Sequence, residues 1–261
     1  MRIPTRAVRA LSTIAIKFLP VTKVPEPGRW RNLNDDQIWK DTIYQVAVVG
    51  GSSSVPRLQA SNDAQKALKY ERLRGLNHQQ RLRTINRVLR ATHVRYASSD
   101  VAKCHKSMAL SRNFDFLSSF TGGPRGYLKS LATLSDDNAR IVRVEGDMSY
   151  IKLKGARDFL AGLGLVTDMI AFDVRLLKIL RSVGIELPPD VATNSNSYKL
   201  LQDALIAQVC VPLRINGVAL DRILYQNYEQ ILPKGTGRRE RGTVIGCPLD
   251  QVNAAHIPTT R

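Results

Sequence analysis

The sequence predicts an all-α fold on three observations. Apolar residues recur at helical spacing from about residue 34 onward, no stretch alternates as a half-buried strand does, and capping residues and glycines punctuate the periodic runs. At 261 residues the chain can bury a sizeable core without metal or disulfide staples. Cys104, Cys210 and Cys247 are odd in number, far apart and free of any Cys-x-x-Cys pair. That pattern disfavours a secreted disulfide framework or a zinc ribbon and predicts reduced, intracellular thiols.

Residues 1–33 are expected to form a basic N-terminal arm. The first 20, MRIPTRAVRALSTIAIKFLP, are Arg-rich, acid-free and weakly amphipathic, a composition shared by a mitochondrial transit peptide and a membrane-surface helix. Asn34 caps the first predicted helix, whose apolar positions Ile38, Trp39, Ile43, Val46 and Ala47 predict burial before Gly50-Gly51 ends it. A polar helix follows from Ser61-Asn62 to about Arg74, stopped by Gly75. From about His78 to Val94 the pattern is a basic amphipath, with Leu82, Ile85 and Leu89 on one stripe and Arg83, Arg87 and Arg90 on another. Further helices are predicted over 99–119, 125–134, 136–145, 153–163, 173–184, 196–211 and 216–232, with Thr121-Gly122-Gly123-Pro124 and Leu187-Pro188-Pro189 as breaks. Residues 34–232 thus make one compact helical domain. Residues 233–261, rich in Gly, Arg and Thr, read as a mobile basic tail.

The formal charge of +17 points to a polyanionic partner, and it is unevenly placed. Residues 57–112 carry thirteen basic residues against three acids, whereas residues 113–233 carry thirteen of each. No acid lies between Arg81 and Arg95, so the arginine stripe has no local ion-pair partner. It reads either as a solvated face or as a set of phosphate contacts. No apolar run reaches the roughly 18 residues of a membrane span, and no membrane role is expected. The four histidines form no i,i+4 pair, no metal-ligand spacing occurs, and there is no G-x-x-x-x-G-K-[ST] phosphate loop, so no metal or other cofactor is expected.

Candidate chemistry lies in KLKGARDFLAGLGLVTDMIAFDVRLLKIL, Lys152 to Leu180, where Lys154 precedes Asp173 by nineteen residues in a helix, Gly-rich turn, helix frame. Taken alone, Lys154 equally reads as an exposed helix charge and Asp173 as an N-cap. Brought to one pocket, they suit cleavage of an N-glycosidic bond. A carboxylate stabilises the positive charge that develops on the sugar, and a lysine amine attacks the anomeric carbon or forms a Schiff base. Lys152 is the alternative nucleophile.

The motif KGARDFL, then Gly162-Leu163-Gly164, then Ile170-Ala171-Phe172-Asp173-Val174-Arg175 and an apolar helix, resembles the helix-hairpin-helix (HhH-GPD) DNA glycosylases, most closely their archaeal 8-oxoguanine branch. Asp36 to Val49 is similar to an early core helix of that family, and Leu220-Asp221-Arg222-Ile223-Leu224 to its closing helix. The resemblance implies a two-lobed helical fold with its active site between the lobes, and a hairpin and catalytic region at about 145–184. Lys154 and Asp173 would be catalytic, and the enzyme would excise a damaged or modified base by base flipping, with lyase activity. One departure stands out. The hairpin positions read Ser149-Tyr150-Ile151-Lys152-Leu153-Lys154, without the family's glycines.

Around that centre, Ser52, Ser53, Arg57, Arg83, Arg87, Arg90, Lys152 and Arg175 are the expected DNA contacts, and Gln45, Phe172 and Tyr225 the expected base-pocket residues. Gly50 and Gly51 serve equally as a plain helix end or as the start of a wedge loop. The expected partner is double-stranded DNA, bound by a monomer in the cytoplasm at the nucleoid. Two alternatives are a glycosylase for a hypermodified phage base in antiviral defence, and a non-catalytic helical nucleic-acid-binding protein.

Overall fold

Asn34 and Asn77 show how the helices begin. Each accepts a hydrogen bond from the backbone N–H three residues on, and the Gln at that position, Gln37 or Gln80, accepts from the cap's own N–H, which satisfies two otherwise unpartnered donors at each helix start. In the computed structural model of the chain, which describes residues 1–51, 53 and 55–233, these caps open α2 (Asp35–Ala47) and α6 (His78–Ala91). Between them run three short helices, α3 (Val55–Ala60), α4 (Asn62–Ala67) and α5 (Tyr70–Arg74). The predicted polar helix is therefore split, with Tyr70 and Leu73 buried on its second half.

Next come α7 (His105–Ser118), α8 (Gly123–Ala132), α9 (Asp137–Asp147) and α10 (Leu153–Leu163), followed by α11 (Val174–Ser182) and α12 (Ser195–Leu205). The last widens into a π-helical turn, Ile206–Cys210, just ahead of Pro212, which has no N–H to continue the α pattern. After α13 (Val211–Leu213) come α14 (Gly217–Gln226) and α15 (Tyr228–Ile231). Every regular element among the described residues is helical.

Two hydrophobic cores form. The first gathers α2 to α10, around Trp39, Phe114, Tyr127 and Phe159. Trp39 is fully buried, donates its indole N–H to Leu68 O at 3.0 Å and meets the Phe114 ring edge-on at 5.2 Å, so its polar atom is satisfied while its area is buried. The second core gathers α11, α12, α14 and α1 (Thr5–Phe18).

That last helix differs from the predicted basic arm. Ala7, Leu11, Ala15 and Phe18 line one face and are buried, and Ile3 is buried with them. Gln208, in the π-turn, accepts from Ile3 N at 3.0 Å and donates to Met1 O at 3.2 Å. Half of the buried stripe is alanine, so its apolar signal is weak beside three exposed arginines. No single helix among the described residues is long and apolar enough to cross a membrane. One bent pair, Ser195–Leu213 with Gly217–Gln226, meets the length and composition test, and it buries Tyr198, Leu201, Leu220 and Ile223 in the second core.

Gly164 closes α10 in the left-handed conformation (φ 69°), and its O accepts from Gly28 N at 2.7 Å. A Cβ there would stand 2.2 Å from Glu26 O, so only glycine fits. The predicted tail, residues 233–261, lies outside the described residues apart from Pro233.

Candidate functional site

The hairpin before α10 is built without glycine. Met148 and Ile151 are buried and pin the turn to the first core, while Tyr150 between them takes the left-handed conformation, φ 69°. For a non-glycine residue that conformation costs about 1–2 kcal/mol. The buried side chain of Asn113, on α7, offsets it by gripping Ser149 at both backbone groups, accepting from its N–H at 2.7 Å and donating to its C=O at 2.9 Å. Lys152 occupies the N-cap position with no side-chain cap bond, and its Nζ reaches back to Glu145 O at 3.3 Å, at the C-terminal end of α9. The first turn of α10 therefore begins uncapped.

Lys154, in that first turn, has a half-exposed side chain. Its Nζ lies 3.2 Å from Asp158 Oδ2, one turn further along the same helix. Asp158 is mostly buried and draws on two other helices. Arg222 of α14 donates to Oδ1 at 2.8 Å, and Gln45 of α2 donates to Oδ2 at 3.1 Å. The next carboxylate in the chain of charges is Asp221, 3.6 Å from the other Arg222 amine and itself buried.

The electrostatics of the two acids diverge for stated reasons. Burial alone would push the Asp158 carboxyl up, but Lys154, Arg222 and the Gln45 hydrogen bond outweigh it and hold it at about 2. At Asp221 burial wins. Arg222 opposes it, the Asp158 charge reinforces it, and the carboxyl is pushed up to about 7.

Asp173 sits at the N-cap of α11 and accepts from Leu176 N at 2.9 Å. The segment leading to it, residues 170–173, is tied down by buried side chains. Tyr198 Oη donates to Ile170 O at 2.8 Å and accepts from Phe172 N at 2.7 Å, Asp221 accepts from Ala171 N at 3.0 Å, and Gln202 accepts from Ile170 N at 3.3 Å. Arg157 of α10, itself buried, stacks its guanidinium 4.1 Å from the Tyr198 ring centroid and bonds Leu153 O and Glu145. One side chain thus couples the helix of Lys154 to the segment of Asp173. The ion-pair partner of Lys154 is Asp158 rather than Asp173.

Of the other expected site residues, Gln45 joins the Lys154 cluster, with its amide oxygen buried and accepting no hydrogen bond. Arg175, exposed beside Asp173, lies 5.2 Å from the Tyr225 ring centroid and 5.7 Å from that of Tyr228. Tyr225 is one turn from Arg222 on α14, so a single helix serves both ends of the site. Phe172 instead belongs to the second core, its ring 4.7 Å from Tyr198. Lys152 stays exposed at the hairpin.

Arg83, Arg87 and Arg90 are exposed on one face of α6, and Arg57 is exposed on α3. Ser53 is exposed in the loop after α2, and Ser52 lies outside the described residues. That loop is braced from the α6–α7 connection. Arg95 donates to Gly50 O at 2.6 Å, and Tyr96, 64% exposed with φ 64°, packs on Gly50. The fully buried Lys106 donates to Ala47 O at 2.9 Å and Val49 O at 2.6 Å. Burial lowers its amine to about 8, with Cys104 opposing and Arg95 adding to the shift.

Sequence reasoning missed Asp158, Asn113, Arg157, Lys106 and the Arg95-Tyr96 brace. Only Asp158 carried a local signal, its i+4 spacing from Lys154. No group of three or more His, Cys, Asp or Glu among the described residues is placed to hold a metal ion. No protein-family model matches the chain, and neither a curated protein nor a solved structure matches it.

Proposed function

We propose that the chain is a DNA glycosylase of the helix-hairpin-helix kind, excising a damaged or modified base from duplex DNA as a monomer, with Lys154 as nucleophile and associated lyase activity. The observation that carries this reading is the placement of Lys154. Its half-exposed amine stands at the uncapped start of the helix that follows a tight hairpin, and a rigid segment leads from that helix to the N-cap carboxylate Asp173. In this reading the two cores are the two lobes, and DNA enters between them. The exposed arginines of α6 supply attraction to phosphate that a charge-neutral catalytic region lacks.

The chemistry balances without a cofactor. The neutral amine attacks the anomeric carbon as the base–sugar bond breaks, and the base leaves with the bonding electrons and takes up the proton the amine releases. The nitrogen lone pair then opens the sugar ring, the ring oxygen gains a proton, and a Schiff base results. Loss of the proton on the adjacent carbon expels the 3′ phosphate oxygen and nicks the strand. The Asp173 carboxylate stabilises the cationic sugar throughout.

Borohydride trapping on duplexes with single modified bases tests this. The expected result is a covalent adduct on 8-oxoguanine DNA that is lost in Lys154→Ala and kept in Lys152→Ala. Free base without adduct would assign a water mechanism to Asp173. Reaction only with another modified base would move the substrate towards hypermodified DNA. Salt-sensitive binding with no chemistry, unchanged in both Lys154→Ala and Asp173→Ala, would make the chain a binding protein instead.

A further inference from the structure

From the same site, and resting on the glycosylase reading, we infer that Asp158 is a positioning residue that latches Lys154, holding its amine in place as an ammonium until it gives its proton to water and turns to the substrate, with Arg222 setting how tightly the latch holds. A lysine on the first turn of a helix would ordinarily swing through many rotamers. Here its Nζ has a fixed anchor, because Asp158 is itself held from α14 at 2.8 Å and from α2 at 3.1 Å. The anchor is mostly buried, whereas the Lys154 side chain is 38% exposed, so the amine faces solvent and the carboxylate lies behind it.

The competition between the two cations decides the strength of the hold. Asp158 divides its charge between Lys154 and Arg222, and each cation weakens the other's claim. Removing the carboxylate frees the amine to shed its proton to water at lower pH. Removing Arg222 leaves the whole carboxylate to Lys154 and keeps the proton on until higher pH. One neighbour shares in this competition, the buried Asp221, which is coupled to Lys154, Asp158 and Arg222 alike; the others are engaged elsewhere. On α9, Glu145 is engaged by Arg157, and on α2, Asp41 is engaged by Arg29. On α12 the nearest titratable group is the Tyr198 hydroxyl, which is held by backbone. On α14, Asp221 pairs with Arg222 and bonds Ala171 N, and Tyr225 faces Arg175.

The test measures the amine directly. Lysines are reductively methylated with 13C-formaldehyde, the Lys154 signal is assigned by its loss in Lys154→Ala, and its titration is followed in wild type, Asp158→Asn and Arg222→Met. The expected midpoint is lower in Asp158→Asn than in wild type and higher in Arg222→Met, the directions set by attraction to Asp158 and repulsion from Arg222. Opposite movements cannot come from general loosening of the fold, and either variant alone suffices if the other fails to fold. Midpoints that stay fixed, or move together, overturn the latch. Borohydride trapping against pH in the same variants separates the two readings. Opposite shifts with neither adduct nor released base leave the latch standing and sink the glycosylase. An adduct that depends on Lys154 with unmoved midpoints does the reverse.

Discussion

Lys154 is held in place by charge, whereas Asp173 is held by a backbone that buried hydroxyl, amide and carboxyl groups grip. The amine sits in a ladder of alternating charges running from Lys154 through Asp158 and Arg222 to Asp221. The carboxylate sits at the end of a segment fixed by Tyr198, Gln202 and Asp221. A charge-held group responds to pH and can be released, whereas a hydrogen-bonded segment is rigid or broken. In the proposed reaction the two ends would have different tasks, one holding a nucleophile that must move and the other a counter-charge that must not.

The sharpest way to break the contrast is Tyr198→Phe. It removes one hydroxyl that serves two buried backbone groups, Ile170 O and Phe172 N, while keeping the ring on which Arg157 stacks. Two buried groups left unpaired should cost about 2–4 kcal/mol in urea unfolding. Adduct yield should fall with Asp173's precision while the Lys154 titration stays where it was. A shifted Lys154 titration would show that the two ends are not separately built.

A smaller effect is expected at the joint, where Asp221 touches both ends. Its carboxyl is pushed up to about 7 in the folded chain, against the ordinary value of 3.8. Between about pH 4 and 7 the folded state therefore keeps a proton that the unfolded state has lost, and stability falls as pH rises through that window. Asp221→Asn cannot titrate and still offers an oxygen to Ala171 N. Its stability relative to wild type should rise from pH 5 to pH 8, at up to about 1.4 kcal/mol per pH unit, read from urea midpoints. Asp158 works in the opposite sense. Its carboxyl is held at about 2, so its contribution is present above about pH 4 and lost as pH falls towards 2. A flat difference between Asp221→Asn and wild type would mean that Asp221 is already ionised beside Arg222.

These cases also show what the sequence could reveal. The helices over 153–163 and around 174–182 were legible from spacing, and Asp173 was legible as an N-cap because capping is local. Asn34 was legible for the same reason, whereas the Asn77 cap was not picked out. The ladder was not, since Asp158, Arg222 and Gln45 lie on three helices far apart in sequence, and only packing brings them together. The helix α1 was read as part of a basic arm because half of its buried face is alanine and arginines flank it. The membership of Phe172 in the second core depends on Tyr198, 26 residues away in the chain, and no local pattern carries that.

The smallest effect expected concerns the hairpin, where the missing glycines first drew notice. Tyr150 takes φ 69° there without being glycine, with Asn113 gripping the residue before it. The turn is therefore held by a side chain from α7 rather than by the freedom of glycine. Tyr150→Gly relieves the left-handed strain but loses the ring's packing on the first core, whereas Tyr150→Val loses the ring and adds a β-branch where φ is positive. Both lose the ring, and the methyls that valine keeps and the larger unfolded-state entropy of glycine favour the valine variant, so a less stable valine variant reports the backbone. The valine variant should be less stable than the glycine variant by about 1–2 kcal/mol, measured by urea unfolding, with the Lys154 titration moved in neither. Equal stabilities would mean that the turn relaxes once the tyrosine is gone and that Asn113 does not hold it. In that event the start of α10 would owe its position to the charge ladder as well, and the hairpin end of the site would be held by charge throughout.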